Sequence, residues 1–148
     1  MMQAHHIAIF ISHSWTYSEH YDKLREWIFD RPWNVDGVPL VFNDQSVPKD
    51  DPIHDAPTTR ALENAILHRI DGSDVVVVPT GMYSSHSKWI GKEIKGAKAK
   101  DRPILGVNPR GQQRRSSVVA GAARKIVGWN SQSVLNGIWE LRNSPEQQ

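Results

Sequence analysis

A glutamate and a tryptophan one helical turn apart form the strongest chemical signal in the sequence. Glu93 follows Trp89 by four residues in the segment SHSKWIGKEI, and residues at this spacing share one face of a helix. A carboxylate beside an indole ring there can hydrogen-bond a ribose or stabilise a developing oxocarbenium ion. The residues alone also allow a surface glutamate that pairs with Lys92 or Lys88, with Trp89 covering the sheet.

Two other polar segments carry weaker signals. The turn Ser12-His13-Ser14 offers hydroxyls and backbone amides that can bind a phosphate, or that simply cap the first helix. The loop from Asn43 to Pro57 holds four aspartates, but their spacing does not match a calcium-binding loop. The histidines have no zinc-ligand spacing and the chain has no cysteine, so no metal site is predicted.

Short apolar runs alternate with helical patterns along the whole chain. A run of four valines, Val75 to Val78, predicts a strand that is covered on both faces. The predicted strands are Ile7–Ile11, Pro39–Phe42, Asp74–Pro79, Ile104–Val107 and Lys125–Trp129. The predicted helices run from about Tyr17 to Phe29, Thr59 to Ile70, Ser87 to Lys100, Ser117 to Ala123 and Ser131 to Leu141, and Ser87 caps the third of them.

This alternation predicts an α/β fold of the flavodoxin-like kind, a three-layer sandwich. Its sheet has five parallel strands in the order 2-1-3-4-5, with helices on both faces. In such sheets ligands bind at the carboxyl ends of the strands, where the strand order reverses beside the first strand. The loops that meet there are Ser12 to Thr16, Asn43 to Pro57 and Thr80 to Ser87.

The bulk composition narrows the class of protein. With 148 residues, we expect one domain over residues 1–143 and a polar tail over 144–148. The formal charge is +2 and the basic residues are spread out, which argues against a nucleic-acid partner. No apolar stretch approaches the roughly 20 residues of a membrane helix, and no signal peptide is visible, so we expect a soluble, cytoplasmic protein without a membrane partner.

The motifs together resemble the TIR-like domains of bacterial Thoeris antiphage-defence systems. The resemblance covers about residues 7 to 109 and is carried by IFISHSW, VFNDQSVPKDDP, DVVVVPTGMYSSHSKWIGKEI and RPILGVNP. It implies an enzyme that cleaves the nicotinamide–ribose bond of NAD⁺, with NAD⁺ as substrate and no further cofactor. Glu93 then falls on the catalytic glutamate of the third helix.

The resemblance also implies substrate-binding residues and partners. Trp89 falls on the pocket aromatic residue, and Ser12, His13, Asp44 and Tyr83 lie on loops that surround the substrate. The product is an ADP-ribose-derived signal, cyclic or conjugated, that is sensed by a downstream effector. Self-association through TIR–TIR contacts is implied as well.

Two other functions compete with this one. TIR domains also act as interaction or scaffold modules without catalysis. A nucleoside-processing transferase of similar fold likewise uses a carboxylate at C1 of a sugar.

Overall fold

The computed structural model describes residues 4–12, 19–45, 59–79, 83–108 and 121–143. Within these ranges it contains six strands and four helices of eleven residues or more. The strands are β1 (His5–Ile11), β2 (Trp33–Val35), β3 (Val38–Asp44), β4 (Val75–Pro79), β5 (Ile104–Val107) and β6 (Lys125–Val127). The helices are α1 (Glu19–Phe29), α2 (Thr59–Asp71), α3 (Tyr83–Ala99) and α4 (Ser131–Asn143).

One mixed sheet contains all six strands, in the order β2-β3-β1-β4-β5-β6. Neighbouring strands in the series β3-β1-β4-β5-β6 pair in parallel, and these five strands have the predicted order. The α/β class is therefore confirmed. The prediction of a five-stranded, purely parallel sheet is wrong, because β2 adds an antiparallel edge strand to β3.

The additional strand is formed by a tight hairpin. Asp36 and Gly37 connect β2 to β3 and have φ angles of 51° and 81°. Positive φ at both central residues is typical of the type I′ turn that joins antiparallel strands, and Asp-Gly is a favoured pair for it. The predicted strand Pro39–Phe42 falls within β3, and β2 and the hairpin before it were not predicted.

Strand β1 contributes to two separate cores because its side chains alternate between the two faces of the sheet. Ile7, Ile9 and Ile11 pack in a core with residues of α1 and α4. Phe10 packs on the opposite face in a second core with residues of α2 and α3. A residue two positions beyond Phe10 therefore faces α2 and α3.

The place where the strand order reverses lies beside β1, as predicted. Strand β3 pairs with β1 on one side. The next strand along the chain, β4, pairs with β1 on its other side. The carboxyl ends of β1, β3 and β4 therefore meet at one edge of the sheet. Side chains that follow these strands are in a position to form a common site.

Helix α3 begins at Tyr83, four residues before its predicted cap Ser87. Ser87 therefore lies within the helix, and the prediction that it caps α3 is wrong. Serine and histidine disfavour a helix interior only weakly, by about 0.5 kcal/mol each, so the polar segment Ser84 to Ser87 is not a stop signal. The earlier start puts Glu93 in the middle of the helix instead of its second turn.

The remaining helices differ little from their predicted bounds. The predicted helix from Ser117 to Ala123 lies mostly outside the described residues, and so does the tail at 144–148. None of the helices that the structure describes combines the length and the apolar character needed to cross a lipid bilayer.

Substitution of alanine for glycine should have opposite effects on stability at two helical positions, Gly91 and Gly137. A Cβ atom on Gly137 of α4 would lie 2.8 Å from Leu105 Cδ1 and 3.3 Å from Val127 Cγ1, whereas one on Gly91 of α3 would meet nothing within 4 Å. Gly91→Ala should raise the free energy of unfolding by about 0.5–1 kcal/mol, since alanine favours a helix. Gly137→Ala should lower it by about 1 kcal/mol, because overpacking a core costs more than that gain. Urea denaturation of both variants checks this, and equal effects would contradict the close packing of α4 on β5 and β6.

Candidate active site

Glu93 is a buried carboxyl group in the middle of α3. Its exposed fraction is 0%, although glutamate is among the residue types least often buried. Ile94 and Ala97 of the same helix pack in the core between α3 and the sheet, and Glu93 lies one turn before Ala97. The apolar pattern that packs α3 on the sheet therefore also turns Glu93 inward.

Ser12 is the residue that immediately follows β1. It continues the strand alternation, so it lies on the same face as Phe10 and points toward α3. Its backbone N–H donates to the carbonyl oxygen of Val77 in β4 at 2.8 Å, which extends the β1–β4 pairing by one residue. Ser12 is also 0% exposed.

A hydrogen bond joins these two buried residues across 81 positions of sequence. Ser12 Oγ donates to Glu93 Oε1 at 2.5 Å. This length lies at the short end of the range for an O–H···O hydrogen bond, which is about 2.5–3.0 Å. A buried polar group needs such a partner, since leaving it unsatisfied costs about 1–3 kcal/mol.

The alternative in which Glu93 is a surface glutamate is wrong. A fully buried side chain cannot serve as an exposed ion-pair partner, and Lys92 pairs with Glu63 of α2 at 3.0 Å instead. Glu93 is thus held where the strand order reverses, facing the end of β1. An acidic oxygen at this place can accept hydrogen bonds from sugar hydroxyls or stabilise positive charge on a sugar ring.

The structure places Asp44 in different surroundings. Asp44 is the last residue of β3, and its Oδ2 accepts a hydrogen bond from Arg25 of α1. Leu40 and Phe42 of the same strand pack against the core on the α1 side, so Asp44 also lies on that face. It shares the sheet edge with Ser12 but not the face that Ser12 and Glu93 share. Its role in binding a substrate stays a prediction.

Three further predicted site residues cannot be placed against Glu93. His13 lies outside the described residues. Tyr83 and Trp89 belong to α3 by their backbones, but their side chains are not among those described. Most of the aspartate-rich loop after Asp44 also lies outside the described ranges. Among the histidine, aspartate and glutamate side chains that are described, no group of three could hold a metal ion.

The sequence matches one protein family over most of its length. The family model of the Thoeris protein ThsB, TIR-like domain, matches residues 10–114, which is more than half of the chain. The chain belongs to this family. The matched range contains both Ser12 and Glu93, and it agrees with the resemblance inferred from the motifs. No match was found among curated proteins.

The fold of this TIR-like domain is similar to that of solved structures. One of them is the CMP N-glycosidase BcmB of Clostridium botulinum, with a TM-score of 0.54 and 12% sequence identity. The superposition covers 87% of this chain and 95% of that chain, so the similarity extends over most of both chains. At this low identity the likeness concerns the fold.

Sequence reasoning missed the contact between Ser12 and Glu93, although it singled out both residues. The available signal was the alternation in β1, which places Ser12 on the same face as Phe10 and hence toward α3. Sequence reasoning also passed over Asp74, whose carboxylate accepts a hydrogen bond from the backbone N–H of Ala8 at 2.8 Å. Asp74 thereby fastens the start of β4 to β1.

Proposed function

We propose that this TIR-like domain cleaves the nicotinamide–ribose bond of NAD⁺ with Glu93 as its catalytic carboxylate. The observation that carries the proposal is a fully buried glutamate, bonded to Ser12, at the place where the strand order reverses. Membership of the Thoeris ThsB TIR-like family supports the choice of NAD⁺ as substrate.

The reaction needs little besides a well-placed negative charge. When the C1′–N bond breaks, its electron pair stays on the nicotinamide nitrogen, which becomes neutral. Positive charge develops over C1′ and the ring oxygen of the ribose. A carboxylate fixed beside the sugar in a water-poor site stabilises that charge, and such preorganised electrostatic groups contribute roughly 10²–10³-fold in rate. A nucleophile then attacks C1′ and completes the substitution.

The identity of this nucleophile determines the product. Water gives ADP-ribose, a nitrogen of the substrate's own adenine gives a cyclic product, and another molecule gives a conjugate. In the proposed pathway an ADP-ribose-derived product is the signal that a downstream effector senses in antiphage defence. Self-association of the TIR-like domains forms part of the same proposal, since a neighbouring protomer then completes the site.

The test is incubation of the concentrated protein with NAD⁺, followed by chromatography and mass spectrometry of the products. We expect free nicotinamide together with an equimolar ADP-ribose derivative. The same protein is also assayed with lysate of phage-infected cells, so that a missing trigger does not hide the activity. No nicotinamide release under either condition would overturn the proposal.

A second candidate is cleavage of the N-glycosidic bond of a nucleoside monophosphate. The observation that favours it is the similarity of the fold to a CMP N-glycosidase over almost the full length of both chains. The positive charge that develops at the sugar carbon is the same, so one buried carboxylate stabilises it with either substrate. Cytosine is uncharged in CMP, however, so it also needs a proton from a general acid as it leaves, which nicotinamide does not. Release of cytosine from CMP, with NAD⁺ left intact, would favour this candidate over the first.

A further inference from the structure

The hydroxyl of Ser12 is already committed to a partner inside the protein. A serine side chain has one O–H donor, and Ser12 directs it to Glu93 Oε1 at 2.5 Å. While this bond exists, the hydroxyl cannot donate to a ribose or a phosphate of the substrate. The hydroxyl oxygen keeps its acceptor capacity, but its one donor is not available for the substrate-binding role that the family resemblance implies for Ser12.

Both ends of the bond belong to elements that are hydrogen-bonded to the sheet or packed in the core. Ser12 is fixed by its backbone hydrogen bond to Val77 of the central strand β4. On the other side, α3 is anchored in the core by Ile94 and Ala97, which are 7% and 0% exposed. Ser12 and Glu93 are each fully buried, so bulk water does not compete for the bond. A bond between two fixed elements restricts the rotation of the carboxylate at its end.

We propose that Ser12 is a positioning residue that orients the Glu93 carboxylate for cleavage of the N-glycosidic bond. This inference rests on the proposed function of Glu93. An oriented carboxylate stabilises a developing charge better than one that must reorganise during the reaction. Ser12 thus acts through Glu93 and affects the transition state more than it affects substrate binding.

The first test compares Ser12→Ala with the conservative variant Ser12→Thr, which keeps the hydroxyl. Ser12→Ala should lower kcat for nicotinamide release by about 10- to 100-fold and leave KM for NAD⁺ within about threefold, as expected for loss of an interaction made in the transition state. Ser12→Thr should recover at least half of the lost activity on a logarithmic scale. Unchanged kcat in Ser12→Ala would overturn the proposal.

Substrate binding provides a second readout that does not depend on turnover. In the Glu93→Gln background, titration calorimetry measures Kd for NAD⁺ with and without the Ser12→Ala change. We expect the two Kd values to agree within about twofold, because a positioning residue makes no contact with the ligand. A tenfold weaker Kd would show that Ser12 binds the substrate directly, and the proposal would be wrong.

The link between the two side chains is tested without any substrate. A double-mutant cycle combines Ser12→Ala and Glu93→Met. The shift of the urea midpoint in the double variant should be smaller than the sum of the two single shifts, because each substitution removes the same bond. Additive shifts would contradict the inference. If the wild-type protein releases neither nicotinamide nor cytosine, the proposed function fails, while this cycle still decides whether Ser12 holds Glu93.

Discussion

Replacing Glu93 with glutamine is expected to lower kcat/KM for nicotinamide release by about 10³-fold, which corresponds to about 4 kcal/mol of lost transition-state stabilisation. Glutamine has nearly the same shape and keeps an oxygen that can accept the Ser12 hydroxyl, but it lacks the negative charge. The ribose cation then forms without its counter-charge in a site from which water is excluded. Nicotinamide release measured by chromatography checks this expectation.

A matched control tests whether loss of a glutamate charge elsewhere in the protein also lowers activity. Glu63 of α2 is also a helical glutamate, but its side chain is 32% exposed and pairs with Lys92 at the surface. Glu63→Gln should change kcat/KM by less than about threefold, since exposed ion pairs contribute about 0–1 kcal/mol. If Glu93→Gln kept more than a tenth of the wild-type activity, a catalytic carboxylate at this position would be excluded.

The second large effect is expected on stability. Phe10 is 0% exposed and belongs to the core between the sheet and helices α2 and α3. Phe10→Ala should lower the free energy of unfolding by about 3–5 kcal/mol, because it removes a large buried side chain and leaves a cavity. A domain of this size is stable by only about 5–15 kcal/mol, so the variant should lose between about a fifth and all of that stability. Denaturation in urea, followed by circular dichroism, measures the change.

Val41 in the neighbouring strand β3 serves as the control for Phe10. It is 38% exposed, which makes it an exposed apolar residue of the same sheet. Val41→Ala should cost about 1 kcal/mol or less, mostly through the lower strand preference of alanine. Similar costs for the two variants would mean that the core under α2 and α3 is not packed as the structure describes. The location of Glu93 would then lose its physical basis.

Phe10 and the Ser12–Glu93 pair lie on the same face of the sheet, the one that α2 and α3 cover. Phe10 and Ser12 alternate with the isoleucines of β1, so one strand delivers both the core residue and the partner of Glu93 to α3. The core that contains Phe10 also contains Ile94 and Ala97, and it packs α3 against the sheet close to Ser12. Stability of this core and orientation of the carboxylate are therefore linked, and the Ser12→Ala comparison should be made on variants whose urea midpoints are known.

Much of the architecture was predictable because strong local patterns determine it. The four valines from Val75 to Val78 could only be a strand covered on both faces, and they are all 0% exposed in β4. The order of the five parallel strands was predicted from the flavodoxin-like arrangement that repeated βα units commonly adopt. The hairpin at Asp36 and Gly37 was missed because its first strand has only three residues, which is too short for a periodic signal.

The start of α3 was mispredicted for a different reason. Ser84 to Ser87 are weak helix formers, and a serine is as suitable for a cap as for a tolerated interior position. The outcome depends on what surrounds the segment in the folded chain, which local preference does not contain. The error moved Glu93 from the second turn to the middle of the helix without changing the face on which it lies.

By itself the sequence singled out Ser12 and Glu93 as candidates for the chemistry and left open whether Glu93 is buried or exposed. The period of two in β1 directs Ser12 toward α2 and α3, and the helical period in α3 directs Glu93 toward the sheet. Only the tertiary structure decided that the two side chains meet, since their 2.5 Å contact spans 81 residues. Such a distance depends on how closely the helices pack on the sheet and on each other, and this packing involves residues far apart in the chain. One example is Gly96 of α3, which has no side chain and so leaves room for Leu67 of α2.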